Sequence, residues 1–447
     1  MMSLRQAAAA VNGQCHGDEV SFTSVSIDTR TLDANALYVA IVGDRFDGHQ
    51  FVAQAQSQGA CCIMVESIQK LDIPQLVVEN CRIALGQLAR YWREHLNILV
   101  AGITGSNGKT TVKEMTASIL AQMGPVHATK GNLNNDYGVP LTLLALRPEH
   151  DFAVVEMGAN HPGEIAYLSA LVKPDVALVN NAGSAHLAGF GDLRGVAAAK
   201  GEIYAGLSDD GVAVINRDDD YADYWVGLCR DKKILDFSTE QQADVQVEWR
   251  VVPLGSELHI DSPQGDVDCL LPMPGKHNVR NALAATTIAL ALGAETKHIK
   301  VGLQAMRSVK GRLQYNATNC GAQLIDDTYN ANPCSFSAAI NLLASHPGKR
   351  ILVMGDMAEL GDEALMMHRS VGEQAKQVGI DALYAFGPMS QAAIEGFAGE
   401  GHHFTEQQAM IDALQSELAE GVTVLVKGSR SMKMEHVVMA LSTKECN

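Results

Sequence analysis

The sequence predicts an α/β protein with three domains: a small N-terminal α/β domain, a central domain built on a doubly wound parallel sheet, and a C-terminal Rossmann-like domain. The chain has 447 residues, about three times the usual size of one domain. Continuous apolar runs alternate with segments of helical length, as in parallel sheets that helices cover on both faces. We therefore place the domains at residues 1–82, 83–313 and 314–447.

The chain is strongly acidic, with 51 Asp and Glu residues against 34 Lys and Arg residues and a net charge of −17. A field of this sign repels nucleic-acid backbones and anionic lipid, so we expect no nucleic-acid and no membrane partner. The nine cysteines include no CxxC pair, which argues against a zinc site and a disulfide framework. No signal peptide or membrane-spanning run is visible, and we expect a cytoplasmic monomer.

The N-terminal domain is predicted from one apolar run, 36-ALYVAIVG-43, which is typical of a β-strand. The polar segment 44–50 that follows it predicts a loop. Between residues 83 and 96 apolar side chains recur at helical spacing, and this helix is expected to open the central domain.

The central domain is predicted from the run 98-ILVAGI-103, which is typical of a strand buried on both faces. Apolar residues from Val112 to Met123 then form one helical stripe. Further strands of a doubly wound sheet are predicted at 152–156, 175–180 and 212–216. Residues 243–271 alternate apolar and polar side chains instead, which predicts an antiparallel ribbon at the sheet edge.

The C-terminal domain is predicted from a second alternation of apolar runs with helix-length segments. The strands are predicted at 322–327, 350–355, 382–387 and 422–428. This pattern is Rossmann-like, but the domain lacks GxGxxG, so we assign it no dinucleotide.

The segment 104-TGSNGKTT-111 joins the strand at 98–103 to the helix after it, so the central domain is predicted to be of the P-loop type. Its glycines let backbone N–H groups turn toward phosphate oxygens, Lys109 would contact the β- and γ-phosphates, and Thr110 would offer its hydroxyl to Mg²⁺. Strict Walker A spacing has Gly where this chain has Ile103, and an ordinary strand–helix turn is the alternative. The segment predicts ATP binding through Gly105, Ser106, Asn107, Gly108, Lys109, Thr110 and Thr111.

Two side chains are expected at the carboxyl edge of the central sheet, where open α/β sheets bind ligands. Glu156 ends the strand at 152–156 and could ligate Mg²⁺, although a solvated carboxylate at a strand end is the alternative. His186 follows the strand at 175–180 through a short loop, and it could bind metal or be an ordinary structural histidine.

Lys200 lies on the apolar stripe of a helix predicted from Val196 to Leu207. A buried lysine needs a partner or a changed charge. It could extend to the surface, pair with an acid, or be modified into an anion.

Three more features could contact a ligand. Asn278 and Asn281 lie three residues apart at the start of a helix, so both amides could face one ligand, although Asn278 could instead cap the helix. Arg312 and the pair Asp326–Asp327 flank the entry into the third domain and could form an interdomain salt bridge.

These features occur together with other blocks that resemble the Mur ligase family, the ATP-dependent amide-bond-forming enzymes of peptidoglycan precursor synthesis. The resemblance covers nearly the whole chain. The blocks are 26-SIDTR-30, 43-GDRFDGHQF-51, 102-GITGSNGKTT-111, 131-GNLNNDYGVP-140, 154-VVEMGANHPGEI-165, 186-HLAGFG-191, 199-AKGEI-203, 274-PGKHNVRNALAA-285, 326-DDTYNANP-333, 354-MGDMAELG-361 and 427-KGSRSMKME-435.

The resemblance implies which residues bind the ligands. The uridine diphosphate end of the substrate would lie near Ser26, Asp28 and Arg30, and Asn134 and Asn135 would also bind substrate. Asn281 would contact adenine, Arg312 a phosphate, and Asp326 or Asp327 the ribose. Asn330 and Asn332 would lie between the nucleotide and the incoming dipeptide.

The resemblance also implies two Mg²⁺ sites, formed by Thr110, Glu156, His186 and Lys200. Lys200 matches a lysine that the family carbamylates with CO₂, which would turn a buried cation into an anion that binds metal. The catalytic residues implied are Lys109, Lys200, His186 and Glu156.

Within the family, the blocks are most similar to the type that joins D-alanyl-D-alanine to UDP-N-acetylmuramoyl-tripeptide through an acyl phosphate. An acyl phosphate hydrolyses in water, so the third domain is expected to close over ATP and the dipeptide about a hinge at residues 310–325. A sister ligase that adds another amino acid is the nearest alternative. A nucleotide-controlled switch protein with the same loop but no ligation is the other.

Overall fold

The computed structural model describes residues 1–43, 46–183, 187–252, 255–307 and 311–442. Three larger sheets follow one another along the chain, of five, nine and six strands. Each contains parallel strands with helices packed on its faces, so the predicted three-domain α/β architecture is confirmed. Among the described residues no helix is long and apolar enough to cross a membrane.

The N-terminal domain contains the five-stranded sheet, in the order β2-β9-β8-β5-β4. All neighbours are parallel except β2 and β9. The elements are β1 (Met2–Ser3), α1 (Leu4–Val11), β2 (Gln14–His16), β3 (Ser21–Phe22), β4 (Ser24–Ser26), β5 (Ala36–Val39), β6 (Val42–Gly43), β7 (Phe46–Asp47), α2 (Val52–Ser57), β8 (Cys62–Val65) and β9 (Gln75–Val77).

The central domain contains the nine-stranded sheet, in the order β11-β12-β10-β13-β14-β15-β16-β17-β18. Its elements are α3 (Cys81–Glu94), β10 (Leu99–Thr104), α4 (Lys109–Leu120), β11 (Val126–Ala128), α5 (Gly138–Leu144), β12 (Phe152–Glu156), α6 (Glu164–Val172), β13 (Val176–Val179), α7 (Leu187–Phe190), α8 (Leu193–Gly201), β14 (Val212–Asn216), α9 (Ala222–Leu228), β15 (Lys233–Ser238), β16 (Val245–Val252), β17 (Gly255–Asp261), β18 (Val267–Leu271), α10 (Lys276–Ala291) and α11 (Thr296–Gln304).

The central sheet is doubly wound. Its strands are parallel from β11 to β16, and β17 and β18 add an antiparallel edge, which confirms the predicted ribbon. Helices α4, α10 and α11 pack against one another beside one hydrophobic core, and α3, α6 and α8 contribute to the other. Because β10 lies between β12 and β13, the loops after these three strands open at the same edge.

The C-terminal domain contains the six-stranded sheet, in the order β19-β20-β24-β21-β22-β23, which is parallel except for β19. Its elements are β19 (Gln314–Ala317), β20 (Gln323–Asp327), α12 (Pro333–Ala344), β21 (Lys349–Gly355), α13 (Ala364–Gln377), β22 (Ala382–Phe386), α14 (Gln391–Phe397), β23 (Glu400–Phe404), α15 (Gln407–Gln415), β24 (Val422–Lys427) and α16 (Glu435–Leu441).

The structure differs from the sequence prediction at several elements. The predicted strand 36–43 is two strands, β5 and β6, and the helix predicted from Val196 to Leu207 is the α-helix α8 followed by a 3₁₀ helix, Glu202–Gly206. Strands β11, β15 and β23 were not predicted. Strands β11 and β23 lie at sheet edges, and β15 lies inside its sheet. Each has His, Lys or Glu among its residues, so none of them is a continuous apolar run.

Candidate active site

One cleft of about 1960 Å³ is lined by residues of all three domains. It runs from Ile27 and Ile41 in the N-terminal domain, past the P-loop, to Asn330 and Lys427 in the C-terminal domain. Among the described residues, eight Lys and Arg residues line it against eight Asp and Glu residues. This lining is therefore less acidic than the chain as a whole, whose net charge is −17.

The P-loop connects the end of β10 to the start of α4, as predicted. Gly108 precedes α4 with a φ of 78°, and a Cβ there would lie 2.5 Å from Asn180 Nδ2 and from Asn281 Oδ1. Only glycine tolerates both the positive φ and the close approach of these two side chains. Lys109 Nζ donates to the carbonyl oxygen of Gly105 at 2.7 Å, and burial lowers the pKa of Lys109.

Asparagines behind the P-loop hold its backbone in place. Asn180 Nδ2 donates to the carbonyl oxygen of Asn107 at 2.9 Å and to Asn281 Oδ1 at 3.1 Å. Asn181 Oδ1 accepts from the backbone N–H of Asn107 at 2.8 Å. Asn180 and Asn181 follow strand β13 at the ligand edge, and that position was the signal by which the sequence could have identified them.

Other predicted ligand-binding residues lie in or beside the P-loop. Ser106 Oγ donates to the carbonyl oxygen of Gly183 at 3.0 Å, and Thr111 is buried in the first turn of α4 beside the cleft. Asn278 does not cap α10, because Gly275 is the N-cap and Asn278 Nδ2 donates to the carbonyl oxygen of Pro274. Asn278 and Asn281 both line the cleft.

Glu156 is buried, with 2% of its surface exposed, and does not lie in solvent. Its position on β12 pairs it with Ile103 of β10, which brings it beside the P-loop. Thr110 Oγ1 donates to Glu156 Oε2 at 2.9 Å, and Asn134 Nδ2 donates to Glu156 Oε1 at 2.9 Å. The Thr110 hydroxyl and the Glu156 carboxylate thus meet at the carboxyl end of β12, where the sequence analysis placed Glu156.

Lys113, which the sequence analysis missed, supports the same carboxylate. Its Nζ donates to the carbonyl oxygen of Thr129 at 2.6 Å, and Thr129 Oγ1 accepts from the backbone N–H of Glu156 at 2.9 Å. Lys113 is 1% exposed and lies one turn beyond Thr110 on α4. A lysine two residues after the motif, on the helix that the motif opens, was its sequence signal.

Lys200 does not extend to the surface, because only 1% of its surface is exposed. Its Nζ lies 5.8 Å from the centroid of the Phe190 ring, and no acid of the described ranges forms an ion pair with it. Burial lowers the pKa of Lys200 well below its usual value, and the charge of Lys109 lowers it further. Lys200 therefore neither extends to the surface nor pairs with an acid of the described residues.

Side chains on both sides of the junction between the central and C-terminal domains contact the P-loop. Arg312 Nη2 donates to Thr110 Oγ1 at 3.0 Å, and the guanidinium lies 4.2 Å from the centroid of the Tyr329 ring. Asn332 Nδ2 donates to Asn107 Oδ1 at 2.8 Å. The junction between the two domains is therefore part of the cleft.

The acidic pair at the end of β20 does not form an ion pair with Arg312. Asp327 Oδ2 accepts from Lys427 Nζ at 2.6 Å, and Lys427 also donates to the carbonyl oxygen of Asn330 at 2.9 Å. Asp326 Oδ1 accepts from Thr328 Oγ1 at 2.6 Å, and burial raises the pKa of Asp326. The interdomain salt bridge considered from the sequence does not form between these residues.

The predicted residues of the N-terminal domain form a turn of their own. Ser26 Oγ donates to the carbonyl oxygen of Asp28 at 3.0 Å, and Arg30 pairs with Asp28 at 2.6 Å. None of these three lines the cleft, whereas Ile27 between them does. Asn135 lines it, and its Oδ1 accepts from the N–H of Gly138 at 3.0 Å.

His186 lies outside the described residues, and so does part of the predicted hinge, residue 310.

Comparisons with known proteins agree with this geometry. Three family models match the chain: "Mur ligase family, catalytic domain" over residues 21–93, "Mur ligase middle domain" over 103–289, and "Mur ligase, glutamate ligase domain" over 311–430. The UDP-N-acetylmuramoyl-tripeptide--D-alanyl-D-alanine ligase of Escherichia coli K12 is 46% identical over 98% of both chains.

Solved structures of MurF ligases are similar over almost the whole chain. A crystal structure of MurF from Acinetobacter baumannii is 39% identical, with a TM-score of 0.92 over 98% of each chain. MurF ligase from Thermotoga maritima in complex with ADP is 28% identical, with a TM-score of 0.82 over 94% of this chain and 96% of that one. The chain belongs to the Mur ligase family.

Proposed function

We propose that the protein is an ATP-dependent ligase that joins D-alanyl-D-alanine to UDP-N-acetylmuramoyl-tripeptide in peptidoglycan precursor synthesis. One observation carries the proposal: the contact of Asn332 with Asn107, together with Arg312, which lies between Thr110 and Tyr329, brings the third domain onto the P-loop in a cleft that all three domains line. The names of the similar proteins supply the substrates. We further propose that the enzyme is a cytoplasmic monomer with domains at 1–82, 83–313 and 314–447.

ATP is proposed to bind at the P-loop. The loop from Gly105 to Thr111 is proposed to surround its phosphates, with the N–H groups at the positive end of α4 as donors, whereas the N–H groups of Ser106 and Asn107 bond to Asn181. Asn281 contacts adenine, Arg312 a phosphate, and Asp326 or Asp327 the ribose. The ADP complex of the Thermotoga maritima relative supports a nucleotide of this kind.

Mg²⁺ fits the oxygen atoms found beside the P-loop. Thr110 Oγ1 and Glu156 Oε2 are a hydroxyl and a carboxylate 2.9 Å apart, and Mg²⁺ prefers such hard donors. The described residues contain no group of three or more His, Cys, Asp and Glu that could hold a metal alone, which suits an ion that also takes waters and phosphates as ligands. We propose that Thr110, Glu156 and His186 hold Mg²⁺, which neutralises phosphate charge when bound.

Lys200 is proposed to be carbamylated and to bind a second Mg²⁺. Its amine is buried without an ion pair among the described residues, and its pKa is lowered by burial and by Lys109. Only a neutral amine reacts with CO₂, so the lowered pKa favours the modification. A carbamate at Lys200 would also be attracted to the Lys109 cation.

The reaction proposed has two steps. The terminal carboxylate of the tripeptide attacks the γ-phosphorus of ATP, the bond to the bridging oxygen breaks, and ADP leaves. The amine of D-alanyl-D-alanine then attacks the acyl carbon, loses a proton, and expels phosphate. Lys109 spreads the charge of the transferred phosphoryl group, which is positioning and electrostatics and not covalent work.

The remaining predicted residues are proposed to bind the two substrates. Asn134 positions Glu156 and, with Asn135, borders the sugar-peptide part of the substrate. Asn330 and Asn332 lie between nucleotide and dipeptide. Ser26, Asp28 and Arg30, which flank the cleft residue Ile27 but do not line the cleft themselves, lie near the uridine diphosphate. Closure of the third domain keeps water from the acyl phosphate.

The test is phosphate release from ATP with UDP-N-acetylmuramoyl-tripeptide, with and without D-alanyl-D-alanine, followed by mass detection of the product. Release that requires both substrates, with a product heavier by one dipeptide, is the expected result. Lys109→Ala, which removes the phosphate-binding cation, is the inactive control. Turnover of ATP without a dipeptide product would contradict the proposal and favour the switch alternative.

A further inference from the structure

Two adjacent thiols are in contact in the N-terminal domain, away from the cleft. Cys61 Sγ and Cys62 Sγ are 3.8 Å apart, and neither residue lines the cleft. The two residues lie at the amino end of β8. Ile41, which follows the parallel strand β5, lines the cleft at the opposite end of the sheet. The proposed reaction therefore does not use this pair.

The start of β8 explains why the two thiols face the same side. Successive side chains of a strand point to opposite faces of its sheet, which would keep neighbouring thiols apart. Because β8 begins at Cys62, Cys61 lies before the strand and does not follow that alternation. Cys62 is fully buried, and Cys61 is partly buried against the same hydrophobic core. A reagent in solvent can therefore reach the pair through Cys61.

A direct disulfide fits this pair poorly, whereas a bridging atom fits it well. Neighbouring Cα atoms are about 3.8 Å apart, and disulfides usually join Cα atoms about 4.4 to 6.8 Å apart. Two bonds of about 2.3 Å, the length of a zinc–sulfur bond, can together span up to about 4.6 Å. An atom of similar size can therefore bond to both sulfurs across their separation of 3.8 Å.

The surroundings of the pair restrict which ligand it can take. Cys15 lies on β2, two strands or about 10 Å across the sheet from β8, so it is not a third ligand. The described residues contain no group of three or more His, Cys, Asp and Glu that could hold a metal, which argues against the four ligands of zinc. Burial raises the pKa of Cys62, and Cys61 raises it further, so an anionic complex is disfavoured. The pair suits a ligand that takes two sulfurs and leaves no charge.

We propose that Cys61 and Cys62 bind a monosubstituted trivalent arsenical, R–As(OH)₂, which bridges the two sulfurs. Two As–O bonds break and two As–S bonds form, and each thiol proton leaves with one hydroxide as water. Arsenic stays trivalent, so the step needs no oxidant or reductant. The product is neutral, which suits the buried position of Cys62. Cys61 reacts first, and the second bond then forms within the complex. The inference does not depend on the proposed function.

The test is the mass of the intact full-length protein after incubation with phenylarsine oxide and gel filtration. The unaltered protein should retain one phenylarsenic group per chain, with the loss of two hydrogens. A small dithiol should remove this group, and a monothiol should not. Cys61→Ser and Cys62→Ala should each weaken the binding about 100-fold or more, because the remaining sulfur lacks the second, intramolecular bond.

Cys15→Ser is the matched control. Cys15 is an exposed cysteine of the same sheet, and its Sγ donates to the carbonyl oxygen of Leu4 at 3.5 Å. Its replacement should leave the retention of the arsenical unchanged. The thermal midpoint checks that each variant is folded. If Cys62→Ala unfolds, Cys61→Ser, which changes the more accessible side chain, tests the site by itself.

Several outcomes overturn the inference. One is an unaltered protein that retains no arsenical after gel filtration. Another is undiminished retention by the folded Cys61 and Cys62 variants, which would place the arsenical on other thiols, such as the exposed Cys320 and Cys334. A third is a Cys15→Ser variant that loses the arsenical as the other variants do, which would show that a two-thiol site is not what binds it.

Discussion

The side-chain amide of Asn332, in the C-terminal domain, donates to Asn107 Oδ1 in the P-loop at 2.8 Å. The same side chain caps α12, because its Oδ1 accepts from the backbone N–H of Ser335 at 2.8 Å. One residue thus begins a helix and contacts the phosphate loop of another domain. The two roles use different atoms and can be separated by substitution.

Asn332→Ser should separate them. Serine keeps the cap but is too short to reach Asn107, so the unfolding free energy should change by less than about 0.5 kcal/mol. The kcat/KM for ATP should fall about tenfold, the worth of one interdomain hydrogen bond. Asn332→Ala, which loses both roles, should destabilise by about 1 kcal/mol more. A serine variant with unchanged kinetics would show that the contact has no part in turnover.

Lys113→Met should destabilise the protein by about 1 to 3 kcal/mol, because it leaves the buried carbonyl oxygen of Thr129 without a donor. It should also raise severalfold the Mg²⁺ concentration needed for ADP binding, measured by calorimetry, because Thr129 holds the backbone of Glu156. Glu114→Gln is the control: it removes the ion pair with Lys113 at 2.8 Å and keeps the bond to Thr129. Equal Mg²⁺ dependence in all three proteins would refute the link.

Lys200→Ala should abolish turnover, and bicarbonate or a short carboxylic acid should restore part of it by supplying the missing anion. Lys109→Ala should not respond to the same additives, because the cation is what it lacks. Carbon-13 NMR of the protein equilibrated with labelled bicarbonate should give a carbamate signal that the Lys200 variant lacks. Full activity of the Lys200→Ala variant without additive would show that turnover does not need a carbamylated lysine.

Acid should destabilise the protein through His127. Burial, with smaller effects from His150 and Lys130, lowers the pKa of His127 to about 4, against about 6.5 in an unfolded chain. Between those values the unfolded state binds the extra proton, so stability is lost as the pH falls from 6.5 to 4.

At pH 5 that loss is on the order of 1 to 2 kcal/mol relative to pH 7.5. It should appear as a lower urea midpoint for unfolding at pH 5, and His127→Gln should reduce the difference between the two midpoints. Midpoints that shift equally in both proteins would exclude His127 as the cause.

The sequence by itself determined the fold class and the phosphate loop, because both depend on local patterns. A strand buried on both faces must be apolar throughout, and a phosphate loop needs glycine and lysine at fixed spacing. The same reasoning placed Glu156 at the ligand edge and Lys200 on a buried stripe, and both are buried as that pattern requires. The sequence left three fates open for Lys200, since burial alone does not identify a partner.

Only the tertiary structure decided which distant residues meet. The contacts of Asn107 with Asn332, of Thr110 with Arg312, and of Arg82 with Asp136 join residues 54 to 225 positions apart. The tertiary structure also decided the strand order: β10 lies between β12 and β13, which brings the loops after these strands together. Periodicity reports which face of an element is buried and carries no information about what covers it, so packing alone completes the site.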